Sequence, residues 1–191
     1  MKEIWFIRHG ESTANVGALN PDVANIELTA RGREQAIFAS EQITKQPDLI
    51  VATPYIRTQQ TAEPTQAKFP NTPYEIWDLQ EFTCLCREKC ANTTKEDRKP
   101  MRDEYWGKND PDFIHGVGTE SFANMTSRIK EIFNKITARN ESFAVIFTHG
   151  FILRTMITML NNPNAENKEL MEMVKPGANA PIIDNCEIIK T

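Results

Sequence analysis

The chain has 191 residues, 40% of them hydrophobic and 25% charged, with a formal net charge of −4. This length and composition are typical of one globular domain that buries a core without disulfides, and the negative charge argues against nucleic acid as a partner. The chain does not open with a basic segment followed by an apolar one, and no apolar run is long enough to span a bilayer. We therefore expect a cytoplasmic protein without a membrane partner.

The first part of the chain alternates an apolar run with a polar segment and a helical pattern. Residues 2–7 predict a strand, residues 11–28 predict a loop, and Thr29 is a candidate N-cap for a helix that reaches about Lys45. The face of this helix predicted to be buried holds small and apolar residues at helical spacing: Ala36, Ile37, Ser40 and Ile43.

A second strand and helix follow in the same order. The apolar run 48–52 predicts a strand. Thr53 and Pro54 then resemble an N-cap and a first helical position, so we expect a helix that carries Arg57 in its first turn. Pro64 is expected to stop or kink that helix, because proline lacks the backbone donor that a helix interior needs.

The middle of the chain is less regular. Residues 74–79 predict a third strand, and the polar stretch 80–118 reads as a cap or insertion that either has a functional role or contains helices of its own. This stretch holds Cys84, Cys86 and Cys90 in a C-x-C-x3-C pattern that matches no familiar zinc spacing. Reduced thiols are the expectation, with a zinc site as the alternative.

The last part of the chain returns to the alternating pattern. Residues 122–136 predict a strongly amphipathic helix, 143–147 a fourth strand, 149–161 a helix and 182–190 a last strand. Alternating strands and helices favour a three-layer α/β/α sandwich with a mostly parallel sheet, and no linker divides the chain. We therefore predict one domain over 1–191, with 80–118 as a cap over the carboxyl ends of the strands.

Two groups of polar residues stand where strands end. Arg8 and His9 follow the first strand, and His149 follows the fourth. Ligands of open α/β sheets bind outside the carboxyl ends of the strands. Because a guanidinium and an imidazole are well suited to bind a phosphate, the pattern indicates a phosphate-handling site.

Six short blocks, in order along the chain, resemble the motifs of the histidine phosphatase (phosphoglycerate mutase-like) superfamily. Any one block is a weak signal, but the ordered set covers most of the chain. The blocks are Arg8-His9-Gly10-Glu11-Ser12 with Asn15; Leu28-Thr29 with Gly32 and Gln35-Ala36; Thr53-Pro54 with Arg57 and Gln60-Thr61-Ala62; Leu79-Gln80-Glu81; Gly118-Thr119-Glu120-Ser121-Phe122; and Thr148-His149-Gly150.

The resemblance implies phosphoryl transfer without a metal or an organic cofactor. It makes His9 the nucleophile that takes the phosphoryl group, while Arg8, Arg57 and His149 bind phosphate oxygens. Glu81 is the expected general acid and base, with a pKa raised by burial or by the negative charge of the phosphate. Asp78, Glu75 and Glu88 lie close in sequence and remain rivals for that role.

Other residues are candidates for binding the substrate. Asn15 can donate a hydrogen bond to the phosphoryl group, and Gly150 belongs to the second histidine block. The side facing the leaving group would be lined by residues of the 80–118 stretch: Phe82, Arg87, Tyr105 and Trp106. Their mixed character suits a phosphorylated small molecule or a phosphopeptide.

The resemblance leaves the outcome of the transfer open. Phosphoglycerate mutases usually carry a tryptophan just before the asparagine of the first motif and are usually longer, whereas this chain has Ala14 there. Both differences favour a phosphatase over a mutase. A catalytically weak module that binds phosphorylated ligands is the further alternative, and the sequence does not indicate the oligomeric state.

Overall fold

The computed structural model describes residues 2–18, 22–91, 93–94 and 96–191. Its regular elements alternate along most of the chain, and Val23–Asn25 forms an additional short 3₁₀ turn. The strands and helices are β1 (Glu3–Arg8), α1 (Ala30–Gln42), β2 (Leu49–Ala52), α2 (Ile56–Lys68), β3 (Tyr74–Ile76), α3 (Arg87–Cys90), α4 (Lys99–Lys108), α5 (Phe122–Ala138), β4 (Phe143–Thr148), α6 (Gly150–Asn161), α7 (Asn167–Val174) and β5 (Ile188–Lys190).

The five strands form one sheet in the order β3-β2-β4-β1-β5. Neighbouring strands are parallel except that β5 runs antiparallel to β1, which confirms the predicted mostly parallel α/β fold. Arg8 at the end of β1 lies opposite Thr148 at the end of β4. The residues that follow these two strands, His9 and His149, therefore leave the sheet side by side.

Alternate residues of β1, β2 and β4 face two separate cores, because successive side chains of a strand point to opposite faces. Phe6 and Ile146 belong to the larger core, which also contains the apolar faces of α5, α6 and α7. Ile7 and Val145 belong to a smaller core on the other face, together with Ala62 of α2. This arrangement gives the predicted layers, with the sheet in the middle.

The first two helices differ from the sequence-based expectations in detail. Thr29 caps α1 as predicted, since its Oγ1 accepts from the Gly32 N–H at 3.0 Å, but Ile37 is 52% exposed rather than buried. Helix α2 starts at Ile56 instead of at Pro54, because the hydroxyl of Thr53 makes tertiary contacts and does not cap a helix. The helix also continues through Pro64.

The later elements show three further differences. Strand β3 ends at Ile76, and β5 is limited to three residues. Helix α7 was not expected, although Glu166 and Glu169 form a reciprocal capping box at its start and Leu170, Met171 and Val174 form its buried face. In the described residues, no helix combines the length and the apolar character needed to cross a membrane.

Candidate active site

The loop after β1 is fixed by residues of α1 and α2. The N–H of Gly10 donates to Thr61 Oγ1 at 3.1 Å, and the N–H of Glu11 donates to Gln35 Oε1 at 2.8 Å. A Cβ on Gly10 would lie 2.4 Å from the Gly32 carbonyl oxygen, so this close approach requires glycine. The second and third sequence blocks thus serve to hold the His9 loop.

His9 has the protonation pattern of a nucleophile. Its Nδ1 lies 2.7 Å from the carbonyl oxygen of Gly10, and since a carbonyl only accepts, Nδ1 carries the proton and Nε2 keeps its lone pair. Burial lowers the pKa of His9 well below its ordinary value, and the charges of Arg57 and Arg8 act in the same direction. The imidazole is therefore neutral at pH 7.

His149 lies next to His9, with their ring centroids 5.3 Å apart. It is fully buried at the N-cap of α6, and its Nε2 is 3.0 Å from the hydroxyl of Thr53. Its Nδ1 is buried without a hydrogen-bond partner. Burial, followed by the charge of Arg57, lowers the pKa of His149 well below its ordinary value.

Two arginines flank the histidines. One terminal nitrogen of Arg8 donates to the Ile183 carbonyl at 2.7 Å, while its Nε is buried without a partner. Arg57 is 6% exposed, donates to the Val23 carbonyl at 2.8 Å and stacks on the ring of Tyr55. A Cβ on Gly150 would lie 3.1 Å from Arg8 Nε, so Gly150 makes room for that guanidinium.

Glu81 lies at the N-terminus of α6. Its two carboxylate oxygens accept from the backbone N–H groups of Phe82 at 3.1 Å and Phe151 at 3.3 Å. Burial raises the pKa of Glu81, although the charge of Arg57 and these two hydrogen bonds oppose that shift. The carboxyl group therefore holds its proton to a higher pH than a solvated glutamate does, which suits an acid.

The segment that leads to Glu81 is anchored from two sides. Arg128 of α5 donates to the carbonyl oxygens of Asp78 at 2.7 Å and Gln80 at 3.1 Å. Its remaining nitrogens bind the carboxylate of Glu120 at 2.6 and 3.3 Å. Thr148 Oγ1 donates to the carbonyl of the intervening Leu79 at 2.8 Å. Sequence analysis missed Arg128, because its spacing does not distinguish it from a solvated arginine on a helix.

Two cavities meet at Glu81. The first, which we call the Arg57 cavity, has a volume of about 230 Å³ and is also lined by Arg87, Arg98 and Arg102. The second, the Arg8 cavity, has a volume of about 670 Å³. Residues common to both walls are Glu81, Phe82, Cys84 and Arg102. His9 and His149 are buried and do not line either cavity.

The residues predicted to contact substrate fall into different places. Phe82 lines both cavities, Arg87 lines the Arg57 cavity and Trp106 lines the Arg8 cavity. Tyr105 does not fit the prediction, because its side chain is fully buried among aromatic residues and lines neither cavity. Asn15 is exposed, and its Oδ1 accepts from the N–H and hydroxyl of Ser12.

The cysteines of the 80–118 stretch are free thiols. Burial raises the pKa of Cys84 to about 12, so this thiol is protonated at pH 7. Among the described residues, no group of three or more histidine, cysteine or acidic side chains is arranged to hold a metal ion.

Comparisons with known proteins agree with this arrangement. Residues 4–182 match the family model described as histidine phosphatase superfamily (branch 1). A search of curated proteins finds no significant sequence match.

Several solved structures share the fold at low sequence identity. The α-ribazole phosphatase from Shigella flexneri is 22% identical with a TM-score of 0.72, over 96% of this chain and 86% of that one. A mycobacterial glucosyl-3-phosphoglycerate phosphatase is 19% identical with a TM-score of 0.74, over 100% and 92%. The phosphoserine phosphatase from Entamoeba histolytica is 18% identical with a TM-score of 0.72, over 100% and 90%.

Proposed function

Because this chain belongs to the histidine phosphatase superfamily, we propose that it is a phosphomonoesterase that acts through a phosphohistidine intermediate on His9. The observation that carries the proposal is the state of His9. A buried, neutral imidazole whose Nδ1 donates to the Gly10 carbonyl presents Nε2 as a lone-pair donor between two arginines.

The proposed reaction has two steps. In the first, His9 Nε2 attacks phosphorus, the bond from phosphorus to the ester oxygen breaks, and Glu81 gives its proton to that oxygen. In the second, the Glu81 carboxylate takes a proton from water as the water attacks phosphorus, and the N–P bond breaks to release inorganic phosphate. Glu81 is then protonated again and His9 is neutral, so the cycle closes without a metal.

The remaining groups stabilise charge on the transferred phosphoryl group. Arg8 and Arg57 present fork-shaped donors that match phosphate oxygens. Two buried nitrogens without a protein partner, Arg8 Nε and His149 Nδ1, are further candidate donors, since an unpaired buried polar group is unfavourable until it finds an acceptor. His149 also lies at the N-terminus of α6, where an anion is favoured.

Two observations favour hydrolysis over a mutase reaction. The place where phosphoglycerate mutases usually have tryptophan is occupied by Ala14, which is exposed. Several of the similar structures are named as phosphatases of small molecules: an α-ribazole phosphatase, a glucosyl-3-phosphoglycerate phosphatase and a phosphoserine phosphatase. We therefore propose a small phosphorylated molecule as the substrate of this chain.

The test is turnover of p-nitrophenyl phosphate in excess chelator by the wild type, His9→Ala and the matched control His115→Ala. We expect the wild type and the control to hydrolyse the ester and His9→Ala to be inactive. An early acid quench should trap acid-labile phosphate that maps to His9. Loss of wild-type activity in chelator would contradict the metal-free mechanism.

The same experiment separates the alternative functions. A label on His9 that water removes only very slowly would favour a mutase-type transfer to a second acceptor. A folded wild type that neither hydrolyses nor labels, but binds phosphate in an Arg8-dependent manner, would favour a phosphate-binding module and overturn the proposed enzyme.

A further inference from the structure

The arginines of this protein divide into two groups by their partners. Four of the ten arginines form ion pairs with a carboxylate, and all four lie away from the two cavities: Arg31, Arg33, Arg128 and Arg139. Among the described residues, the other six form no ion pair, and all six line one or both of the cavities: Arg8, Arg57, Arg87, Arg98, Arg102 and Arg154.

This division is not explained by a shortage of carboxylates. The chain contains 26 acidic residues against 22 basic ones, yet among the residues that the structure describes Glu81 is the one carboxylate in the walls of either cavity. Burial favours the protonated form of that carboxyl. Among the described residues, the arginines that line the cavities thus form no ion pair with a carboxylate.

Helix α4 shows the same division within a single element. Its exposed lysines are paired one turn away, Lys99 with Asp103 at 2.5 Å and Lys108 with Glu104 at 3.5 Å. Arg98 at its N-cap and Arg102 in its first turn are also four residues apart, but both are cationic and face the Arg57 cavity. Like charges at this spacing destabilise a helix by about 0.2–0.5 kcal/mol, and an anion bound between the two guanidinium groups would offset that repulsion.

The six unpaired arginines exceed what one phosphoryl group needs. Arg8 and Arg57 serve that group in the proposed mechanism. Arg154 uses its guanidinium to donate to the Pro181 and Val174 carbonyls. Arg87, Arg98 and Arg102 remain, in a cavity of about 230 Å³ that also has an apolar wall of Val23, Ile26 and Leu85. Arg87 is exposed, whereas Arg98 and Arg102 are half-buried, and Arg98 also donates its Nε–H to the Thr94 carbonyl at 3.0 Å.

We infer that the substrate carries a second anionic group, a carboxylate or another phosphate, which Arg98 and Arg102 bind in the Arg57 cavity while its phosphoryl group is at His9. This inference rests on the proposed phosphatase function. The apolar wall suits a short carbon skeleton between the two anionic groups, and the cavity volume suits a small molecule.

The test compares phosphate esters that differ only in the second group. The substrates are 4-(phosphonooxy)butanoate, butane-1,4-diyl bisphosphate and n-butyl phosphate, with homologues of two to six carbons as a ruler for the distance between the two sites. We expect kcat/KM to be at least about 10-fold higher for one of the dianionic esters than for n-butyl phosphate, because fork-shaped charged contacts add this much binding. The preference should appear in KM and weaken at high salt.

Variants assign the preference to the two arginines. In Arg98→Gln/Arg102→Gln the ratio of kcat/KM between the dianionic and the butyl ester should fall towards one. In the matched control Lys99→Gln/Lys108→Gln, which removes two paired lysines of the same helix, the ratio should stay high. The comparison of the esters and their homologues on the wild-type protein tests the inference even if the double variant fails to fold.

The relative kcat/KM values of the three esters decide between the possible results. The ester with the higher kcat/KM tells carboxylate from phosphate as the second group. Equal wild-type rates for all three esters, or a preference that survives in the arginine variant, would overturn the second anion site and leave the phosphatase intact. Absence of hydrolysis of every ester would overturn the proposed function and this inference with it.

Discussion

Arg128 offers the sharpest test of how Glu81 is positioned. Its guanidinium joins α5 to the carbonyls of Asp78 and Gln80, directly before Glu81, and is itself oriented by Glu120. Arg128→Ala removes both carbonyl contacts and leaves the Glu120 carboxylate unpaired. One carbonyl contact is exposed, so we take the low end for charged hydrogen bonds and expect unfolding free energy to fall by about 2 kcal/mol.

The effect on catalysis should depend on the leaving group. A displacement of about 1 Å can reduce a rate about 100-fold, so we expect kcat/KM for n-butyl phosphate, which needs a proton on its leaving oxygen, to fall about 10- to 100-fold. p-Nitrophenyl phosphate releases a stable phenolate, and its hydrolysis should fall much less. Arg128→Lys keeps the charge but not the fork, and should give an intermediate result.

The controls separate positioning from general destabilisation. Lys130→Ala, an exposed change on the same helix, should leave both rates and the unfolding free energy nearly unchanged. If Arg128→Ala is less stable but loses kcat/KM equally for the two esters, the positioning role is refuted.

Three further predictions concern the acid, the His9 loop and the buried histidines. Glu81→Gln should slow n-butyl phosphate hydrolysis about 10²- to 10⁴-fold and p-nitrophenyl phosphate far less; equal slowing of both esters would remove Glu81 as the acid. Gly10→Ala should lower the unfolding free energy by about 1–3 kcal/mol, because the added Cβ would lie 2.4 Å from a carbonyl oxygen. Gly107→Ala in α4 is the control and should not lower it, because its Cβ meets nothing within 4 Å. Thermal or denaturant melts of the two variants test this prediction. His9 and His149 have lowered pKa values, so they bind fewer protons in the folded than in the unfolded state once the pH falls below about 6.5. Calorimetry should show the unfolding free energy falling as the pH drops from there, by at most about 1.4 kcal/mol per pH unit for each histidine, with the raised pKa of Glu81 acting in the opposite sense; a pH-independent stability between 6.5 and 5 would contradict the buried neutral state.

The parts of the site that sequence analysis located are those that lie next to strongly apolar strands. The runs before His9 and His149 are buried strands, and the parallel order of β1 and β4 brings their ends together. The helix 122–136 was also clear, because its apolar residues have the periodicity of a helix with one buried face.

The parts that it missed depend on long-range contacts. Thr53 followed by proline matches a helix start, yet its hydroxyl contacts His149, which is 96 residues away. Arg128 contacts carbonyls about 50 residues away, and backbone carbonyls leave no signature in the sequence. Tyr105 was predicted to face the substrate because it belongs to the 80–118 stretch, but local pattern cannot distinguish a residue in the wall of a cavity from one in the core behind it.

The residues that support the two proposed catalytic groups, His9 and Glu81, lie on opposite faces of the sheet. The loop of the nucleophile is held by Gly32, Gln35 and Thr61, which belong to the layer of α1 and α2. The acid is held by Arg128 and by the N-terminus of α6, which belong to the opposite layer. In the proposed mechanism, substitutions that loosen the first layer would therefore displace mainly the nucleophile, and those that loosen the second layer would displace mainly the proton donor. We therefore expect that changes in one layer can reposition one of these groups while the support of the other group stays the same.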